Sequence, residues 1–321
     1  MQATLIISLD FELFWGMQDC STLEKYQDNV LGGRKAIPKL LEMFQKHNIH
    51  ATWATVGFQF AQSFDEVQKY FPKEKLRPAY KNRKLSTYNC FPYIGKSEDE
   101  ALCFYAPSLI KKIAQYDGQE IASHTFSHYY CKEPGQTLEQ FRADMTAAIN
   151  IAEKYGYELT SVVLPRNQCT PRYITILKEL GFTAYRDEEN DWIHKKISFR
   201  PLMRILRLMD VYVSLTGQGG YVPKNEDGII NLMGSRMYKP FFKPLSVLER
   251  MKVHRIKKQM LHAAKKGLMF HLWWHPHNIG IMTEYHLKQL EEILCYYDEL
   301  REKYNMRSMN MREAAEEILN G

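Results

Sequence analysis

Thr4-Leu5-Ile6-Ile7-Ser8-Leu9-Asp10-Phe11-Glu12 is apolar and β-branched where it begins and acidic where it ends. Such a run reads as a strand over about 4–9 that delivers carboxylates to the loop beyond it. The same pattern recurs down the chain. A helix over about 34–47 presents Ile37, Leu40, Leu41 and Phe44 on one face, and a strand over about 51–56 follows. A helix over about 107–116 feeds a strand at 120–123, and Thr137 with Gln140 forms a capping-box pattern for a helix to about 155. A strand at 161–164, a helix opened by Thr170-Pro171 and stopped at Gly181, and a strand at 182–185 come next. Ser246 with Glu249 opens a helix that ends at Gly267, before a strand at 268–274. Strands alternating with helices, each placed strand ending in polar residues, predict a parallel α/β architecture: one domain over 1–321, a distorted, seven-stranded (β/α) barrel. Two segments, about 61–106 and 194–245, break the alternation and read as insertions.

Composition narrows the class. The 321 residues are 45% hydrophobic and 25% charged, ordinary globular values that argue against disorder. The formal net charge of +6 is too small to imply a nucleic-acid partner, and none is expected. Cys20, Cys90, Cys103, Cys131, Cys169 and Cys295 are scattered, without a C-x-x-C pair, and read as free thiols. The first ten residues lack a basic leader and a cleavage site, and no run reaches the roughly 18 apolar residues of a spanning helix. The expected location is cytoplasmic.

Asp10 and Glu12 are two apart, so on a strand they project to one face. His124-Thr125-Phe126-Ser127-His128 follows another strand end, and its four-residue spacing can bring two imidazoles to one metal if the loop turns helically. Taken alone, the acids read equally well as a solvated loop pair, and the two histidines are more often incidental. Together, two histidines and a carboxylate from a separate strand end give three ligands with a position left for water, the way catalytic divalent sites are built. Arg166, in Leu164-Pro165-Arg166-Asn167-Gln168, and Asp191-Trp192 follow further strands; an arginine there can orient carboxylates, although a surface charge is the plainer reading. His275 and His277 lie just past Trp273-Trp274, whose rings can desolvate an imidazole; a core histidine pair is the alternative.

These segments, in this order, resemble the polysaccharide deacetylase family, carbohydrate esterase family four. Ser8-Leu9-Asp10-Phe11-Glu12 is similar to its first motif and His124-Thr-Phe-Ser-His128 to its second. Leu164-Pro165-Arg166 resembles the third in part, because Gln168-Cys169 replaces the usual Pro-Tyr. Asp191-Trp192 and Trp274-His275-Pro276-His277 are similar to the fourth and fifth. The first motif departs in separating its acids by Phe11, where many members have adjacent aspartates. The resemblance implies Asp10 as general base, with Glu12, His124 and His128 as metal ligands; the reverse assignment of the two acids stays open. It further implies His275 as general acid, Arg166 and Asp191 positioning Asp10 and His275, and Trp192, Trp274 and His277 against substrate. Imidazole ligands favour Zn²⁺, while two histidines and a carboxylate also suit Fe²⁺, Co²⁺ or Ni²⁺.

The implied reaction is metal-dependent removal of an N-acyl group, such as acetyl, from an amino sugar, a nucleotide- or lipid-linked precursor of a surface polysaccharide. A deformylase, an allantoinase-like hydrolase of cyclic ureides, and a non-catalytic glycan-binding barrel are the alternatives. The basic excess lies late in the chain. Arg200, Arg204 and Arg207 interleave with Leu202, Met203, Ile205, Leu206, Leu208 and Met209, a mixture suited to peripheral contact with an anionic membrane surface. The plainer expectation is a solvated helix whose apolar side enters the core.

Overall fold

The computed structural model describes residues 2–89, 97–188, 192–193 and 199–321. Its sheet is centred on β1 (Thr4–Phe11), which pairs in parallel with β2 (Ala51–Thr55) on one side and β9 (Met269–Trp274) on the other. From β2 the sheet runs through β3 (Gln119–Ser123), β4 (Ser161–Val163) and β5 (Ala184–Arg186) to β7 (Ile230–Asn231), parallel throughout. A two-residue strand, β6 (Lys224–Asn225), pairs antiparallel with β7, and β8 (Arg236–Met237) lies beyond β9. The short strand β10 (Arg307–Met309) adds to the start of β1.

The strands β7 and β8 are two parts of one segment, 230–237. Its first part bonds to β5, Leu232 N donating to Tyr185 O at 2.9 Å, and its end bonds to β9, Tyr238 N donating to Trp273 O at 2.8 Å. The segment thus joins the two ends of the curled sheet. Counted as one strand with β1 to β5 and β9, it gives the seven parallel members the alternation predicts. The expected insertion over 194–245 therefore needs correcting, since it contains a barrel strand. That strand is short and broken at Gly234, so it shows no run of alternating residues. Among its described residues, the segment 61–106 supplies no barrel strand.

Helices cover the sheet: α1 (Leu23–Lys46), α2 (Phe64–Gln68), α3 (Pro107–Ile113), α4 (Leu138–Lys154), α5 (Pro171–Glu179), α6 (Arg200–Tyr212), α7 (Glu249–Lys266), α8 (Thr283–Tyr304) and α9 (Met311–Asn320). The Thr137–Gln140 capping box forms at α4, each side chain accepting from the other residue's backbone N–H. At α7 the expected Ser246 cap does not form; a 3₁₀ stretch over 243–248 precedes a helix that starts at Glu249. Helix α1 starts earlier than its apolar stripe suggests, because 23–32 bury only Val30 and carry no apolar periodicity. No described helix is long and apolar enough to cross a membrane. The five described cysteines are unpaired.

Strand alternation sorts β1 into two faces. Leu5, Ile7, Leu9 and Phe11 enter the core between sheet and helices. Ile6 faces inward, in a cluster with Val163, Ala184, Ile230 and Met269 that Met311, Ala314 and Ala315 of α9 close from below. The inner column of β1 thus reads Ile6, Ser8, Asp10, an apolar floor rising to a carboxylate, with Glu12 just beyond the strand.

Candidate active site

Glu12 meets the two histidines of the loop after β3. Its Oε2 lies 2.9 Å from His128 Nε2 and 3.3 Å from His124 Nε2. The three side chains are buried, and one ligand atom from each lies within 4.8 Å of the others. Two imidazole nitrogens and a carboxylate oxygen converging in this way fit a divalent cation. Space for the carboxylate comes from Gly16, where any Cβ would overlap it.

The histidine loop is shaped by its backbone. Thr125 and His128 adopt φ of 64° and 55°, the left-handed region, which turns both imidazoles back toward Glu12. Asp144 of α4 holds this turn, accepting from Phe126 N at 2.8 Å, Ser127 N at 3.2 Å and the Ser127 hydroxyl. Burial raises the Asp144 carboxyl to about 6 despite those three donors. Asp144→Ala would leave the donors unmet, so we expect metal affinity to fall about 10- to 100-fold, as for other partners that orient ligands. Calorimetric titration with Zn²⁺ measures it; unchanged affinity would remove Asp144 from this role.

Asp10 sits one layer deeper. Arg186, the last inward residue of β5, grips both carboxylate oxygens at 2.7 Å. The guanidinium also donates to Ser8 Oγ at 2.8 Å and to Asn167 Oδ1 at 3.0 and 3.1 Å, and stacks over Trp273 at 4.1 Å. Burial alone would raise the Asp10 carboxyl, but attraction to Arg186, then His275 and His124, holds it below its ordinary value. Burial likewise opposes ionisation of Glu12, and attraction to His275 and His128 overrides it, leaving that carboxyl well below its ordinary range. Burial lowers the proton affinity of His128, against the opposing pull of Glu12.

His275 Nε2 stands 3.6 Å from Asp10 Oδ2 and 3.6 Å from Glu12 Oε1, with a fifth of its side chain still exposed (19%). Asn278 lies 3.3 Å from its other nitrogen. His277 packs behind this group rather than beside an opening. It is buried, its Nε2 lies 3.7 Å from Glu12 Oε1, its ring meets the edge of Tyr26, and burial lowers it to about 3.

Three expectations change. Arg166 does not touch Asp10: it pairs with Asp19 at 2.5 Å and Glu133 at 3.3 Å, above Tyr130. The cause is the positive φ of Arg166 and Asn167, 56° and 49°, which turns the arginine outward and Asn167 inward. Arg186 holds Asp10 instead. Trp274 is fully buried against Phe44 of α1 and Tyr238, and Trp273 is the ring at the site. Once His275 faces inward, alternation along β9 turns Trp273 inward and Trp274 outward. Trp192 is 39% exposed and donates to Leu215 O at 2.8 Å, a backbone contact in place of an open ring face. Asp191 lies outside the described residues.

Residues 26–185 match the family model described as polysaccharide deacetylase. Among solved structures, the chain is similar to a Mycobacterium smegmatis protein described as a polysaccharide deacetylase: TM-score 0.62, 15% identity, 98% of this chain and 90% of that one. A Pseudomonas aeruginosa PAO1 protein of the same description gives TM-score 0.58 at 14% identity, over 97% and 89%. Puue allantoinase gives TM-score 0.58 at 13% identity, over 97% and 88%. No curated protein matches the chain. At these identities the likenesses establish the fold, a curled parallel (β/α) barrel. The family rests on the sequence match, which spans the histidine loop, Asp144 and the strands up to Tyr185: residues 26–185 belong to the polysaccharide deacetylase family.

Proposed function

We propose that the chain hydrolyses the N-acyl group of an amino sugar, with a divalent cation, Zn²⁺ first, held by Glu12, His124 and His128. The observation that carries this reading is the convergence of an ionised, arginine-held Asp10 and a partly exposed His275 on the same side of the metal-binding group. Bound there, the cation supplies Lewis acidity, polarising the acyl carbonyl and acidifying water. Asp10 accepts the proton of the attacking water. Arg186 keeps Asp10 ionised and fixed in direction, so it takes that proton without reorganising. His275 gives a proton to the sugar nitrogen as the C–N bond breaks, leaving acetate and a free amine. Trp273 and the buried walls limit water around the reacting atoms.

The test is release of acetate from N-acetylated amino sugars by protein loaded with Zn²⁺ or Co²⁺, with formamido sugars and cyclic ureides in the same screen. We expect turnover that chelation abolishes and metal restores. Stoichiometric metal with no hydrolysis of any N-acyl amino sugar would overturn the reading. Preferential release of formate or opening of a ureide would move it to a neighbouring C–N hydrolase.

A further inference from the structure

A cavity of about 700 Å³ opens beside the site, sharing Asn167 and Trp273 with it. Asn167 accepts from Arg186, and the Trp273 ring centroid lies 5.9 Å from that of His275, so the cavity adjoins the reacting centre. Its lining carries Lys132, Arg166, Arg204, Arg207, Arg236 and Lys239 against Glu188 and Asp210. Neighbours already satisfy part of this charge: Arg166 pairs with Asp19 and Glu133, and Asp210 is shared by Arg236 at 2.7 Å and Arg255 at 2.8 Å. Lys132, Arg204 and Arg207 have no carboxylate partner among the described residues and are exposed. A cavity of this volume, lined by two arginines and a lysine with no carboxylate partner among the described residues, suits a polyanion rather than a neutral sugar ring.

We infer that the substrate carries a phosphate or diphosphate next to its acylated sugar, seated on Arg204, Arg207 and Lys132 while the acyl group reaches Asp10 and His275. The inference rests on the deacetylase reading for its orientation, not for the phosphate site itself. Two carriers share this chemistry, a soluble nucleotide and a lipid. The outer side of α6 exposes Leu202, Ile205, Leu208 and Met209, contrary to the expectation that its apolar side enters the core, so a membrane-held carrier can approach along the same helix.

The experiment measures binding of N-acetylglucosamine 1-phosphate and of the neutral methyl glycoside by calorimetry, at low and high salt, for the metal-loaded protein and for Arg204→Gln/Arg207→Gln. Both arginines are exposed, so the variant should keep its fold. Expected is binding of the phosphate sugar at least about tenfold tighter than of the glycoside, weakened by salt and lost in the variant. Equal binding of the two sugars, or a variant that binds the phosphate as well as wild type, overturns the inference. Hydrolysis followed in parallel keeps the two readings apart: binding that behaves as expected without acetate release defeats the deacetylase and leaves the phosphate site. UDP-N-acetylglucosamine and a polyprenyl-phosphate sugar in phosphatidylglycerol vesicles then distinguish the carriers, because faster turnover of either identifies it.

Discussion

Arg186→Met should be the most damaging single change in the barrel. It leaves the Asp10 carboxylate buried without the guanidinium that grips both its oxygens. Breaking a buried ion pair from one side costs about 3–5 kcal/mol, because the surviving charge has neither water nor partner. Protonation of Asp10 relieves part of that cost and removes the base. The sign follows from the causes of its low affinity for protons. Burial pushes the carboxyl up and Arg186 is the largest pull downward, so without the arginine Asp10 ionises only at higher pH. We expect a lower melting temperature, a loss of about 10²- to 10⁴-fold in turnover at neutral pH, and an acid limb of the rate profile displaced upward. Adding Asp10→Asn should recover stability but not activity. A double variant as unstable as the single one would mean that lost packing on Trp273, not the stranded charge, was responsible.

His128→Ala should abolish metal binding and turnover together while the barrel stays folded. Two donors then remain where three converge, and the fall in affinity should exceed the about 10- to 100-fold typical of losing an outer partner. The imidazole packs against Tyr130 and His124 at one edge of the core, not within the apolar layer between sheet and helices. Asp10→Asn is the contrast. It keeps the metal and loses about 10²- to 10⁴-fold in turnover, because Asp10 lies on Arg186 and not within the ligand group. Elemental analysis and acetate release measured on both variants decide the case. Metal lost from Asp10→Asn and kept in Glu12→Gln would exchange the roles of the two acids.

Residues fixed by local rules were legible in the sequence. The rise of β1 into two same-face acids, the four-residue spacing of His124 and His128, and the Thr137–Gln140 cap all depend on near neighbours in the chain. The arginine that holds Asp10 was not, because the choice between Arg166 and Arg186 is made across the barrel by the direction each strand end takes. Positive φ at Arg166 and Asn167 reverses the two side chains, and nothing in Leu164-Pro165-Arg166-Asn167 announces it. Trp273 was within reach: assigning His275 to the inner face settles its neighbours by alternation. The closing strand escaped because 230–237 is too short and too interrupted to show a period of two.

The pairing of β1 with β9 and with the segment around Met309 has a consequence for how the molecule comes into being. Ser8 touches His271 at a sequence separation of 263, and β1 finds two of its three neighbours only after most of the chain has been synthesised. Until then the acids of β1 and the imidazole of His275 cannot share a pocket, and the edge of β1 that β9 will occupy is open to other strands. Ring closure and assembly of the reacting group are therefore one late event on the ribosome's timescale.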